Sequence, residues 1–376
     1  MSMDQWTKAK SLITKLKESG FDAYIVGGAV RDFLLQRSIA DLDIVTTAKP
    51  HDISNLFTKT FQTNTVHQTI LVRYEGLLFE LTTIRGSSIE EDLKKRDLTI
   101  NSLAMNEKGL IIDVVNGKHD IAMKQLASVD PFERMLEDPL RMLRVCRFIS
   151  ELGFQVETNL FDTIQTNHPK LKGVAVERVG KEWMKLLKGD YYKQALSFLK
   201  QTNVYLSIPG LSLDLQTIDQ LETVNSLSED SDIVCWTAFC ICHHTDVLSH
   251  LALSNELIRA IHIRLHYFNQ RKEQKWNKED LYYASLDVAK DVETIRQRFN
   301  LSYCTEGVLS SYWMSLPIHK RSELAINGRD LLSRTNKKQG PWLKKALDYA
   351  EKMVVTGQCP NETNLLFEAL VEVELC

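Results

Sequence analysis

Apolar residues recur at helical spacing from the start of the chain: Trp6, Ala9, Leu12, Ile13 and Leu16 fall on one face, and Gly20 is placed to end the helix. The period then shortens. Runs of strand-forming residues predict strands over 23–26, 42–45, 66–74, 77–84 and 110–114, with a short helix over 30–36. Glu75-Gly76 has the right length for a tight hairpin between two of these strands. After about residue 130 the strand signals stop. Asp138-Pro139 opens a helix, as an N-cap candidate followed by a first-turn proline, and Gly153 is placed to close it. Leu140, Leu143 and Phe148 of that helix can face a core, while Arg141, Arg144 and Arg147 recur every third residue. Val176, Val179, Trp183, Leu186 and Leu187 form a second stripe ending at Gly189. Further helical segments, broken at Pro209-Gly210, run on to about residue 267. The expected fold class is an α+β head, a small mixed sheet with helices, followed by all-helical domains. No internal repeat or low-complexity tract interrupts it.

Composition narrows the class. A chain of 376 residues, 44% hydrophobic and 25% charged, is an ordinary globular sequence with room for two or three cores. Its net charge of −3 does not mark a nucleic-acid binder, so any RNA-facing surface has to be local. Seven scattered cysteines, an odd number, suggest reduced thiols and a cytoplasmic protein. The first residues do not read as a signal peptide, and no stretch is long enough to span a membrane.

The chemistry concentrates between Gly27 and Val45, GGAVRDFLLQRSIADLDIV. Paired glycines between a strand and a helix let the backbone approach an anion, with Arg31 close behind. Asp41 and Asp43 are two apart on a predicted strand, so both carboxylates leave from one face, and hard oxygens paired this way suit magnesium. A lone D-x-D or Gly-Gly is common. Both within one strand, turn, helix, strand unit form a specific signal for a metal-nucleotide site. Glu80 shares a strand face with Leu78 and Thr82, a third acid if that strand lies beside the first two. In EDLKKRDLTINSLAM the apolar contacts come from Leu98, Ile100 and Leu103, with Arg96, Asp97, Thr99 and Asn101 between them.

Two other clusters carry candidate chemistry. Cys235, Cys240, Cys242, His243 and His244 lack paired C-x-x-C spacing and sit among Trp236, Ala238, Phe239 and Ile241, which predicts a buried apolar helix rather than a metal site. From His319 to Lys345 the chain is basic: Lys320, Arg321, Arg329, Arg334, Lys337, Lys338, Lys344 and Lys345 surround Trp342. Against an acidic whole, this is the best candidate for contact with a phosphate backbone.

Taken in order, these segments resemble the bacterial class II tRNA nucleotidyltransferases of the polymerase-beta-like superfamily. GGAVRD with DLDIVT is similar to the family's catalytic motif, KRDLTINSLA to its ribose motif and IIDVVNG to its hinge. EDPLRMLRVCRF is similar to its nucleotide-template motif and VERVGKEWMKLL to its neck helices, while INGRDLL and GPWLKKAL resemble its tail. The resemblance implies an elongated molecule: catalytic head 1–132, neck 133–195, body 196–275 and tRNA-binding tail 276–376. It also implies that Asp41 and Asp43 hold two Mg2+ ions with Glu80 in support, one ion activating the primer hydroxyl and the other holding the triphosphate. Gly27, Gly28 and Arg31 would receive the triphosphate, with Arg96, Asp97, Asn101 and Arg144 completing the nucleotide site. Asp97 would accept from the ribose 2′-hydroxyl. Glu137, Asp138 and Arg141 match the residues that read the base: Asp138 would accept from the cytosine amino group and Arg141 would donate to the ring. The tail residues Arg329, Lys337, Lys338, Lys344 and Lys345 would contact tRNA.

One segment departs from the pattern. Relatives that build a complete CCA end carry a longer loop before the ribose motif, which helps reshape the pocket from CTP to ATP. Here ELTTIRGSSIEEDLKKRD leaves almost nothing between Arg85 and Glu91. The expectation is an enzyme that adds only the two cytidines from CTP to tRNA lacking its CCA end and works beside a separate A-adding enzyme. A complete CCA-adding enzyme, using ATP as well, is the alternative. A poly(A) polymerase and a non-catalytic RNA-binding module are the more distant readings.

Overall fold

The computed structural model describes residues 3–39, 41–64, 68–243, 247–335 and 337–375. It divides into two units, 1–218 and 219–376. The first begins with helix α1 (Met3–Glu18), whose stripe of Ala9, Leu12, Ile13 and Leu16 is fully buried. Gly20 (φ +87°) turns the chain beyond its C-terminus, and the Phe21 N–H returns to the Leu16 carbonyl.

Strand β1 (Ala23–Val26) leads to helix α2 (Gly28–Leu34) and strand β2 (Asp43–Thr46). The short helix thus starts and ends two residues earlier than its spacing suggests. Helix α3 (Pro50–Leu56) precedes strands β3 (Thr60–Asn64), β4 (Thr69–Tyr74) and β5 (Leu77–Thr83). Glu75 and Gly76, both at positive φ, make the hairpin between β4 and β5. Val66 and His67, which the sequence assigns to the start of β4, lie outside the described residues. Helix α4 (Ile89–Lys94), strands β6 (Leu103–Met105) and β7 (Ile111–Asp113), and helix α5 (Gly117–Ala122) complete the head.

The seven strands form one mixed sheet in the order β3-β4-β5-β2-β1-β6-β7. Only β2 and β5 run parallel, and their register sets Asp43 directly beside Glu80. That pairing brings residues far apart in sequence onto neighbouring strands.

Strand β8 (Gln125–Leu126), helices α6 (Pro131–Glu137) and α7 (Leu140–Leu152), and strand β9 (Gln155–Val156) follow. The β8–β9 pair is parallel and two residues long. It corrects the expectation that strands end near residue 130, because two residues are too few to leave a periodic signal. Helix α7 ends at Gly153 in the left-handed conformation, as anticipated. Helices α9 (Val176–Leu187) and α10 (Tyr192–Thr202) pack beside it, with Trp183 and Leu187 fully buried, while α8 (Thr158–Asn167) packs on α6 and α10.

The chain passes into the second unit within α11 (Leu215–Thr223). Helix α12 (Asp232–Cys242) is the buried apolar helix foreseen around Cys235 and Cys242; His244 lies outside the described residues. Helices α13 (Asn255–Gln270), α14 (Lys278–Ala284), α15 (Leu286–Arg298) and α16 (Glu306–Met314) share a core built on Phe268, Leu281, Val292 and Leu309. A second core, including Leu331, Val354 and Leu366, joins α17 (Gly328–Arg334), α18 (Pro341–Thr356) and α19 (Thr363–Glu372). No described helix is long and apolar enough to cross a membrane.

Candidate active site

Two polar cavities in the first unit share a wall. The larger, about 600 Å³, is lined by residues including Asp43, Glu80, Thr82, Arg85, Asp92 and Arg96. Asp43 opens β2, and Glu80 takes the same level on parallel β5 while Phe79 and Leu81 turn to the core. Burial raises the Asp43 pKa, Arg96 opposes that, and Asp41 pushes it further up. Glu80 is also raised, by burial first and then by the charges of Asp43 and Asp41. Among the described residues, none donates a hydrogen bond to any of these three carboxylates. Nor do three described His, Cys, Asp or Glu side chains converge tightly enough to hold a metal by themselves. A set of hard oxygens this open fits magnesium, which commonly takes one or two carboxylates and completes its shell from substrate phosphate and water.

Gly27, at φ +70°, makes the turn out of β1, where an L side chain would be strained. A Cβ there would also stand 3.2 Å from Arg96 Nη1, so the glycine lets this arginine lie against the turn. Gly28 has ordinary contacts and no positive φ. Arg31 is buried: it donates to Asn101 Oδ1 at 2.7 Å and to both oxygens of Asp32, and its guanidinium lies over the Phe148 ring. Arg31 and Asn101 are thus joined to each other and, through Asn101, to Asp97, and neither is among the residues that line the two cavities.

The smaller cavity, about 440 Å³, is lined by Arg85, Arg96, Asp97, Asp138, Leu140, Arg141, Arg144, Arg178, Lys181 and Glu182. Asp97 Oδ2 accepts from Arg144 Nε and Nη2 at 2.9 and 2.7 Å, while Oδ1 accepts from the Leu98 N–H and from Asn101 Nδ2. Burial pushes this carboxyl up, but the charge and hydrogen bonds of Arg144 outweigh it, and the pKa falls to about 2. Arg144 also approaches Glu182 on α9 at 3.6 Å. Arg147 forms a 2.8 Å ion pair with the same glutamate, though off the line of a good hydrogen bond.

Asp138 is held by Arg178 at 2.6 and 3.2 Å, and its Oδ1 also accepts from the Leu140 N–H. The N-cap of α7 is Pro139 rather than the expected Asp138, which ends α6 and reaches the new helix only through the Leu140 N–H, so its carboxylate stays in the cavity. Arg141 donates to Glu137 and to the Arg134 carbonyl, and Arg134 pairs with Glu137 as well. Glu137 therefore stands behind Arg141, not in the cavity.

The sequence reading missed Arg85, Asp92, Arg178, Lys181 and Glu182. Only Asp92 left a local signal, standing on α4 four residues before Arg96, which follows the helix. The five candidate tRNA contacts Arg329, Lys337, Lys338, Lys344 and Lys345 are all exposed in the second unit, with Lys337 over the Trp342 ring. Arg321 instead pairs with Asp348 and Glu351, and Arg334 with Asn364.

A mixed sheet that sets acids on adjacent strands beside an arginine-lined cavity defines the head of a nucleotidyltransferase. Comparison with known proteins makes the family specific. The family model described as the poly A polymerase head domain matches residues 23–127. The one for the probable RNA and SrmB-binding site of polymerase A matches 153–214, and that for tRNA nucleotidyltransferase domain 2 (putative) matches 227–370. A relative named CC-adding tRNA nucleotidyltransferase, from Shouchella clausii, is 40% identical over 96% of each chain. One of the same name from Halalkalibacterium halodurans is 39% identical over 97% of each. A CCA-adding enzyme from Bacillus mycoides is 34% identical over 99% of this chain and all of its own. Among solved structures, that of the Bacillus stearothermophilus CCA-adding enzyme in complex with CTP superposes with a TM-score of 0.92 at 34% identity, covering 100% and 98% of the two chains. The chain belongs to the tRNA nucleotidyltransferase family, enzymes of nucleotide addition at the 3′ end of tRNA.

Proposed function

We propose that this chain adds two cytidines from CTP to the 3′ end of tRNA lacking CCA, releases pyrophosphate and stops, leaving the adenosine to a separate enzyme. The observation that carries this reading is the connection between β5 and α4, which is residues 84–88 alone. A hinge that reshapes the pocket for a second base needs slack, and this turn has little. The relatives named CC-adding at 40% and 39% identity support it.

Asp41 and Asp43 would hold the two divalent ions, for which their hard oxygens suit magnesium, and Glu80 would add its charge beside them. When bound, such ions activate the attacking hydroxyl and stabilise the leaving pyrophosphate. Gly27 and Gly28 bring backbone close to the triphosphate, and Arg96, on the wall common to both cavities, pairs with it. Arg31 and Asn101 act from behind by fixing Asp97. The two oxygens of Asp97 already accept four hydrogen bonds, so its part in choosing ribose is to aim Arg144; direct acceptance from the 2′-hydroxyl requires one of those bonds to break. Asp138 and Arg141 present an acceptor and donors to the cytosine edge, with Glu137 orienting Arg141. The exposed cations of the second unit contact sugar and phosphate, so tRNA is recognised by shape. Division into head, neck, body and tail follows the order of the family matches. Nothing in this scheme requires a membrane, and a cytoplasmic site is the simplest setting.

The test is incubation of a tRNA lacking its CCA end with CTP, ATP and magnesium, followed by product length and terminal base. Two cytidines and a halt are expected. A complete CCA end overturns the specialised reading in favour of the CCA-adding alternative.

A further inference from the structure

Both cavities are bounded by Arg85 and Arg96, and both arginines are held by one carboxylate. Asp92, on α4, is only 2% exposed. Its Oδ1 accepts from the Arg85 backbone N–H at 3.0 Å and from Arg85 Nε at 3.1 Å. Its Oδ2 accepts from Arg96 Nε at 3.0 Å, with Arg96 Nη2 at 2.9 Å. All the acceptor capacity of the carboxylate is thus spent on two arginines. A buried acid so fully committed fixes what it holds.

The short turn is tied down on the same helix. The Ser87 N–H donates to Glu91 Oε2, Ser88 Oγ accepts from the Glu91 N–H, and Lys95 Nζ reaches the Arg85 carbonyl at 3.3 Å. Upstream, the Ile84 N–H continues the ladder to the Thr46 carbonyl on β2. Arg85 therefore has its backbone N–H, its carbonyl and its guanidinium anchored, with Ile84 before it and Ser87 beyond it also tied, while 41% of its side chain stays open to solvent. An arginine held at its Nε and free at its outer nitrogens is arranged to bind an anion.

We propose that Arg85 contacts the nucleotide phosphates and that Asp92 is the positioning residue that sets Arg85 and Arg96 on the common wall. The shortened connection is then a brace that delivers a cation to the substrate. This rests on the two cavities being the nucleotide site, and is independent of whether the enzyme stops after two cytidines.

The test measures first-cytidine addition by the full chain, varying CTP and tRNA separately, together with equilibrium binding of CTP in the absence of tRNA. Arg85→Ala should raise KM for CTP and weaken CTP binding by roughly tenfold, the scale of one charge-assisted contact, with KM for tRNA within twofold. Arg85→Lys should recover part of the loss. Asp92→Asn should weaken CTP binding at an unchanged fold, and should cost less in the Arg85→Ala background than in the native one. CTP binding within twofold of native in Arg85→Ala overturns the contact. Fully additive losses in the double variant overturn the positioning role. A native chain that transfers no cytidine at all overturns the functional reading itself, so the two failures are distinguishable. Should Asp92→Asn fail to fold, the surface variants of Arg85 still decide the contact.

Discussion

In the larger cavity Asp43 and Glu80 stand on adjacent strands, with Arg96 offsetting the rise in Asp43 and Asp41 adding its charge from just before β2, whereas in the smaller one Asp97, Asp138 and Glu182 each already hold an arginine. The two regions have similar residue types and opposite states. Burial first, and then neighbouring carboxylates, raise the pKa values of Asp43 and Glu80, so that ionised at neutral pH these two destabilise the fold. In the second, Arg144 keeps Asp97 ionised in the folded chain, and the ion pairs fix the geometry of the wall. On the proposed reading, the first region accepts cations and the second remains in place while they come and go. The sharpest way to break this contrast is Asp43→Asn. A carboxyl whose folded pKa exceeds its ordinary 3.8 binds its proton more tightly folded than unfolded, so stability falls as pH rises through that interval and the cost persists above it. Asp43→Asn should therefore lower kcat on the order of a thousandfold while raising Tm at pH 7. Retained activity, or a lower Tm, would erase the distinction between the cavities.

The reverse holds for Asp97. Its pKa, about 2, lies below the ordinary carboxylate value, so its contribution to stability is complete above the ordinary range and disappears as pH falls from about 4 towards 2. Asp97→Ala should cost about 3–5 kcal/mol in urea unfolding at neutral pH, because it leaves Arg144 charged and without its bidentate partner. The native and variant stabilities should converge as pH is lowered to about 2. A penalty independent of pH would mean that packing, not the ion pair, holds α7 to the head.

A smaller effect is expected where the second cavity meets the base. Arg141→Ala removes donors without disturbing the acids, so CTP should lose about tenfold of its advantage over UTP, the lower range for one bidentate base contact, while the dependence on magnesium concentration stays native. Unchanged selectivity would move base reading elsewhere, with Arg178 and Asp138 the next residues to alter.

Much of the first cavity was legible in the chain because its determinants are local. The Gly27 turn and the alternation that points Glu80 away from Phe79 and Leu81 are short-range patterns, although Asp41, expected on one strand with Asp43, lies before β2, which begins at Asp43. The second cavity was legible only in part, since its pairs join distant positions: Asp97 with Arg144, Asp138 with Arg178, Arg147 with Glu182. No periodicity records such a partnership. Arg31 illustrates the same limit from the other side. Its place behind the glycines suggests an anion-binding role, yet Asn101 and the Phe148 ring claim it, and neither partner is evident from the GGAVRD segment.

Gly86 tests the wall between the cavities with the mildest change. Its φ is +122°, and a Cβ would fall on the Glu91 side chain, so alanine must both strain the backbone and displace the carboxylate that holds the Ser87 N–H. Gly76, also at positive φ, has nothing within 4 Å and serves as the control for backbone strain alone. Gly86→Ala should destabilise the fold by about 1 kcal/mol or slightly more, and Gly76→Ala by less. Because Asp92 still holds the Arg85 guanidinium, CTP affinity should fall only about twofold in Gly86→Ala. If it falls as far as in Arg85→Ala, the turn itself rather than Asp92 aims the arginine; if Gly86→Ala and Gly76→Ala cost the same, the contact with Glu91 contributes nothing and the brace reduces to its carboxylate clamp.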